Sequence, residues 1–209
     1  LRGRIATIRA FLASFQGDVP GINKYSLQAL EYLPEQDLAW RSAAAVALGD
    51  SYSFSGDLAA AFRFHLDALE ARNKAGNIFV IMLANLKLAV TLRQQGQLQQ
   101  TIEIFQKQMD IAHESGIPQT VVVGLVLAIW GEVLAELNEL DEAIDRAKKG
   151  VEQTERGRDV AMIGWSCLCL IRVLFARGDM ACAEEIIQKM ENIIRDHHVP
   201  PWITSPMAD

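Results

Sequence analysis

The chain has 209 residues, a net charge of −6, 50% hydrophobic and 22% charged residues, a composition that excludes a disordered or collagen-like protein. With six prolines and three cysteines it is no disulfide-stapled scaffold, and Cys167, Cys169 and Cys182 read as reduced thiols. Its mild acidity gives no basic footprint for nucleic acid, and the longest charge-free run, between Glu114 and Glu132, is too short to span a membrane. No signal peptide is visible, so the expected location is cytoplasmic. A first residue of Leu1 in place of Met points to a piece of a longer chain.

In chain order the apolar spacing predicts ten helices, at about 2–16, 19–33, 38–55, 58–75, 78–95, 98–115, 119–137, 140–156, 160–177 and 180–196. The runs "IFVIMLANLKLAVTL" (78–92) and "VVVGLVLAIWGEVLAEL" (121–137) are too long for strands and hold no turn residues. Asp37, Asn77 and Asp159 are the expected N-caps, and Pro118 suits a first helical turn. The first helix of each pair is more apolar than the second, as in 78–92 against "LQQTIEIFQKQMDIAHE" (98–114). Inner helices of a stack touch neighbours on two sides, whereas outer ones keep a wet face.

The turns repeat. Gly17-Asp18, Gly56-Asp57, Gly96-Gln97, Asn138-Glu139 and Gly178-Asp179 fall 39, 40, 42 and 40 residues apart. A fixed period of this size is the signature of a helical solenoid. Counted from the turn residue, an apolar group follows at the second position (Val19, Leu58, Leu98, Leu140, Met180). Small residues recur seven before it, at Ala10, Gly49, Ala89 and Gly131, where two backbones should approach closely. The expected fold is all-α: a right-handed superhelical array of about five helix hairpins, approximately 1–35, 36–76, 77–117, 118–157 and 158–198, with a tail at 199–209, forming one domain.

This spacing resembles the tetratricopeptide repeat (TPR), most fully in Leu48, Gly49, Tyr52, Gly56, Ala61 and Ala68, though the period exceeds the usual one of about 34. The longer stretches "RGRIATIRAFLASFQGD" (2–18), "LPEQDLAWRSAAAVALGDSYSFSGDLAAA" (33–61), "QQGQL" (94–98), "LNELDEAI" (137–144) and "LFARGDMACAEEII" (174–187) resemble the helical-repeat region of MalT-like, LuxR-family ATP-dependent transcription activators. That resemblance implies a signal-sensing region between an ATPase module and a DNA-binding helix-turn-helix, neither of which this sequence contains. It implies a small-molecule effector or a regulatory protein as partner, and control of self-association into homo-oligomers. ATP is expected only in the absent N-terminal module, since no G-x-x-x-x-G-K-[ST] occurs here. Direct DNA binding, membrane association and catalysis are not expected. The alternative is a TPR-type scaffold that binds a peptide or protein segment, unconnected with transcription.

Six residues before each turn, Phe11, Asp50, Val90, Glu132 and Arg172 should project onto the concave face. Charges in otherwise apolar helices are costly unless solvated or paired. Asp50, Lys87, Glu132, Trp165 and Arg172 are therefore the candidate ligand- or partner-binding residues, with internal ion pairing as the plain alternative. No metal site is expected: His65, His113, His197 and His198 are scattered, and Cys167-x-Cys169 points to two different sides of a helix. Glu184-Glu185 and Asp141-Glu142 read as helix-start charges. Trp130 and Trp165 should pack between hairpins, and Ile5, Ile8, Phe11, Leu12 and Phe15 should leave an apolar strip on the first helix, open to dimerisation.

Overall fold

A computed structural model describes residues 1–72, 78–117 and 119–196. Within them ten α-helices follow one another and no strand occurs: α1 (Arg2–Gln16), α2 (Val19–Tyr32), α3 (Leu38–Phe54), α4 (Leu58–Arg72), α5 (Ile78–Gln94), α6 (Leu98–Glu114), α7 (Val121–Glu136), α8 (Leu140–Gly157), α9 (Val160–Arg177) and α10 (Met180–Asp196). They match the helices read from the sequence to within a turn. The expectations placed on Asn77, Pro118, His197 and His198, and the tail at 199–209, lie outside the described residues.

The repeating turn has one mechanism. Gly17, Gly56, Gly96, Asn138 and Gly178 all take a left-handed conformation, with φ between 64° and 82°. That conformation is nearly free for glycine and tolerable for asparagine. It lets the next amide reach back to the carbonyl five residues earlier: Asp18 to Ala13, Asp57 to Tyr52, Gln97 to Leu92, Glu139 to Leu134 and Asp179 to Leu174, at 2.9–3.0 Å. The paired aspartate then opens the following helix. Asp18, Asp57 and Asp179 accept from the backbone N–H groups of Gly21, Ala60 and Cys182. The Gly-Asp dipeptide thus closes one helix and caps the next.

Of two caps read from sequence, one forms and one does not. Asp159 accepts from the N–H groups of both Ala161 and Met162, as expected. Asp37 precedes α3 but makes no cap bond; its carboxylate instead accepts from Arg4 Nε and Nη2. A charged fork outcompetes a backbone amide for the same oxygen. α7 is capped by the Thr120 hydroxyl, which accepts from Val123 N–H.

The second helix of each hairpin seats its partner-facing residues deeply. Five after the turn stand Ile22, Ala61, Thr101, Ala143 and Ala183, all fully buried. α7 and α8 approach closely. A Cβ on Gly131 would lie 2.7 Å from the Ala143 carbonyl oxygen, and one on Gly150 would lie 2.6 Å from Ala128 N. Every residue of α7 from Val122 to Leu134 is buried. Each Val, Leu or Ile so placed contributes about 1.5–3 kcal/mol. α8 keeps one wet face, where Glu142–Arg146 and Asp145–Lys149 pair one turn apart.

The helices group into two compact units, Leu1–Gln97 with α1–α5 and Leu98–Asp209 with α6–α10. In the first, Ala10, Ala13 and Ile22 enclose Ala47 of α3, with Tyr25 beside them. In the second, α7, α8 and α9 pack together. α9 is long and apolar enough to cross a membrane, with a mean hydropathy of 1.7, but 56% of it is buried inside the fold. It is a core helix by the same physics that makes α7 one.

Candidate functional site

The nominated residues resolve into two clusters, one in each unit. In the first, Asp50 of α3 is buried. Lys87 of α5, one hairpin further on, donates from Nζ to Asp50 Oδ2 at 2.9 Å. His65 of α4, 1% exposed, turns Nε2 toward Asp50 Oδ1 at 3.4 Å. The other ring nitrogen lies 3.1 Å from Thr91 Oγ1 of α5. Thr91 Oγ1 also lies 3.0 Å from the Lys87 carbonyl oxygen, so Thr91 joins the imidazole to the α5 backbone.

Burial pushes the Asp50 carboxyl up, but the Lys87 ammonium and the His65 ring outweigh it and hold it below the ordinary carboxylate value. Gly49 makes room for the imidazole: a Cβ there would fall 2.3 Å from His65 Cδ2. Neither His65 nor Thr91 stood out in the sequence. The one usable signal was Gly49 beside an acid inside an apolar helix.

In the second unit, Arg172 Nη1 of α9 donates to Glu132 Oε1 of α7 at 2.9 Å. The Glu132 side chain is 2% exposed and that of Arg172 50%. Glu132 and Arg172 stand one repeat apart in the same register, so the pair ties the fourth hairpin to the fifth. The carboxylates Asp50 and Glu132 are thus enclosed between helices, and the bases reach them from the next hairpin. Trp165 is half-buried on α9. Trp130 of α7 is buried between Phe105 of α6, at 6.0 Å between ring centres, and the Arg146 guanidinium of α8, 3.7 Å from its ring centre.

Among the described residues no three His, Cys, Asp or Glu side chains gather as a metal site. Cys167 and Cys169 are buried, and burial pushes the Cys167 thiol up to about 11, too high for a nucleophile. An open hollow at the end of α8 is lined by Glu152, Glu155, Arg156 and Arg158 and holds none of the nominated residues.

Comparison with known proteins gives this architecture a lineage. The description of MalT-like TPR regions matches residues 3–208, nearly the whole chain. The chain belongs to the MalT-like TPR region family. Members of such a family are helical repeats, a non-catalytic kind of domain. The HTH-type transcriptional regulators MalT of Yersinia enterocolitica and of Yersinia pestis are each 27% identical to it over 208 residues. Those matches cover 98% of this chain and 23% of each regulator, so the chain spans about a quarter of the length of these relatives.

Solved structures share the fold. The apo form of RapI superposes with a TM-score of 0.68 at 15% identity, covering 94% of this chain and 71% of that one. BtubC from P. vanneervenii gives 0.67 at 18% identity, covering 91% and 79%. TPR-like repeats of a kinesin light chain from Podosopora anserina give 0.56 at 15% identity, covering 93% and 94%. The all-helical, TPR-like architecture expected from the turn spacing is therefore the observed one.

Proposed function

We propose that the chain is the signal-receiving region of a cytoplasmic transcription regulator, and that it senses its signal by changing how successive hairpins are latched. The match to MalT-like TPR regions across residues 3–208 carries this reading. DNA binding and any use of ATP would belong to parts of the protein outside this chain. The signal is a small-molecule effector or a regulatory protein, and its consequence is a change in self-association.

Asp50, Lys87, Glu132, Trp165 and Arg172 are the proposed contact residues, and the ion pairs supply the lever. A buried carboxylate on one hairpin is neutralised by a base on the next. Arg172 keeps half its surface in solvent, where a carboxylate, phosphate or backbone carbonyl of a ligand can compete for its free N–H groups. Drawing the guanidinium outward takes one charged donor from the buried Glu132 carboxylate, which favours a different spacing of the α7 and α9 helices. A ligand shifts such an equilibrium only by its preference for one spacing over the other. Trp165, half-buried two turns before Arg172 on α9, adds an aromatic group to the same helix.

A thermal-shift screen against a metabolite library, repeated on Arg172→Ala and Lys87→Ala, tests this. A genuine effector raises the melting temperature of the native chain, and the shift shrinks at least several-fold in one variant. An effector that stabilises all three proteins equally would remove these residues from the site.

A further inference from the structure

Nine residues after each turn the five hairpins carry Ser26, His65, Phe105, Ala147 and Ile187. The second hairpin alone puts a titratable side chain at this place. His65 of α4 is buried in the slot that Gly49 leaves open. Its Nε2 faces Asp50 Oδ1 of α3, and its Nδ1 faces Thr91 Oγ1 of α5. On α4 itself the residues one turn away are Ala61, Phe62, Ala68 and Leu69, none of them charged. The charges that act on Asp50 are those of Lys87 and His65.

Asp50 thus stands between two bases of different kinds. Lys87 Nζ holds Oδ2 at 2.9 Å and keeps 18% of its side chain in water. The His65 ring is 3.4 Å from Oδ1, longer than the roughly 2.7–2.9 Å of a charge-assisted hydrogen bond. This is the form in which Lys87 serves as the counter-ion, and one carboxylate with one ammonium leaves the enclosed site neutral. A proton added to His65 makes both ring nitrogens donors, and each already faces an acceptor. The site then holds two cations against one anion, and an uncompensated buried charge is strongly unfavourable. The imidazolium cannot withdraw, because its ring is enclosed. Lys87 can, because its side chain already borders solvent.

We propose that a proton on His65 displaces Lys87 from Asp50 and so opens the latch between α3 and α5. The first unit then responds to pH in the range where imidazole titrates, roughly pH 5–8. The step moves one proton from solvent to the ring and turns one ammonium back toward solvent. The inference rests on reading the Asp50–Lys87 pair as a latch. It needs no effector, so the metabolite screen and the test below can fail separately.

The test is a double-mutant cycle of Asp50→Asn and Lys87→Met, read from urea unfolding at pH 8 and at pH 5. Asp50 titrates below its ordinary value of 3.8, so its carboxylate is ionised at both. The coupling between the two residues, taken as a ratio of folding equilibrium constants, should fall at least fivefold from pH 8 to pH 5. In a His65→Gln background, which keeps a polar side chain in the slot without a titrating ring, the coupling should be the same at both. Equal coupling at pH 5 and pH 8 with His65 in place overturns the proposal, as does a fall that persists in His65→Gln. Amide hydrogen exchange reads the same step without the doubly substituted chain. Corrected for intrinsic rates, the α5 amides should exchange several-fold faster relative to those of α7 at pH 5 than at pH 8, and His65→Gln should abolish the difference. A ratio that does not change with pH also overturns the proposal.

Discussion

The second and fourth hairpins place a glycine and an acid side by side in the same register, Gly49-Asp50 and Gly131-Glu132, and put them to different use. Nine residues after the turn, the second hairpin has His65 and the fourth has Ala147. Gly49 therefore opens a slot for an imidazole, and Asp50 finds a partner within its own hairpin as well as Lys87 beyond it. Gly131 instead admits the α8 backbone, with Ala147 Cβ at 2.9 Å from where its own Cβ would stand. Glu132 there pairs with Arg172 from the next hairpin. One residue in the second helix decides whether the slot beside a buried acid holds an imidazole or a helix backbone.

Breaking the network side should cost the most. Lys87→Met takes the ammonium away from the enclosed Asp50 carboxylate, and about 3 kcal/mol of unfolding free energy should be lost in urea titrations. Gly131→Ala strikes the close-packed side, because its methyl meets backbone as well as side chain; about 2 kcal/mol is expected. Gly49→Ala meets the His65 ring first, so pairing it with His65→Ala should recover most of its cost, whereas Gly131→Ala has no such rescue. Similar double-variant behaviour at both glycines would erase the distinction.

Arg172→Met should cost less, about 1 kcal/mol, since half of that side chain is already in water. Thiol labelling sharpens the point. Cys167 and Cys169 lie buried on α9 with Arg172, so Arg172→Met should speed their modification by Ellman's reagent several-fold. Unchanged labelling rates would mean that the latch does not hold α9 in place.

The smallest effect is the pH dependence. Asp50 titrates below its ordinary value of 3.8 in the folded chain. The unfolded state then binds the proton more readily, so the stability this group supplies is complete above about pH 4 and is lost as pH falls through the lower, folded pKa. Asp50→Asn should flatten the acid limb of the stability curve below pH 4. An acid limb as steep as that of the native chain would show that the carboxylate is not the group being protonated.

How far the sequence reached can be judged at single positions. Gly56-Asp57 was legible because one residue must adopt positive φ and the next must cap, and few residue types do either. Asp37 misled because capping is a local preference, and Arg4, thirty-three residues away, was a stronger donor. Asp50 and Lys87 were legible as charges that needed an explanation, but their direct pairing across neighbouring hairpins was not. His65 was invisible: a lone histidine in a helix has many fates, and only the slot opposite Gly49 selected this one.

The sequence by itself determined the helices, the turn that repeats and the inward-facing residues, because these follow from backbone stereochemistry and from apolar spacing within a few residues. Only the tertiary structure decided which charge meets which, since a pairing between hairpins depends on how closely their backbones approach. That approach is set by side chains thirty to forty residues apart, a distance over which local rules carry no information.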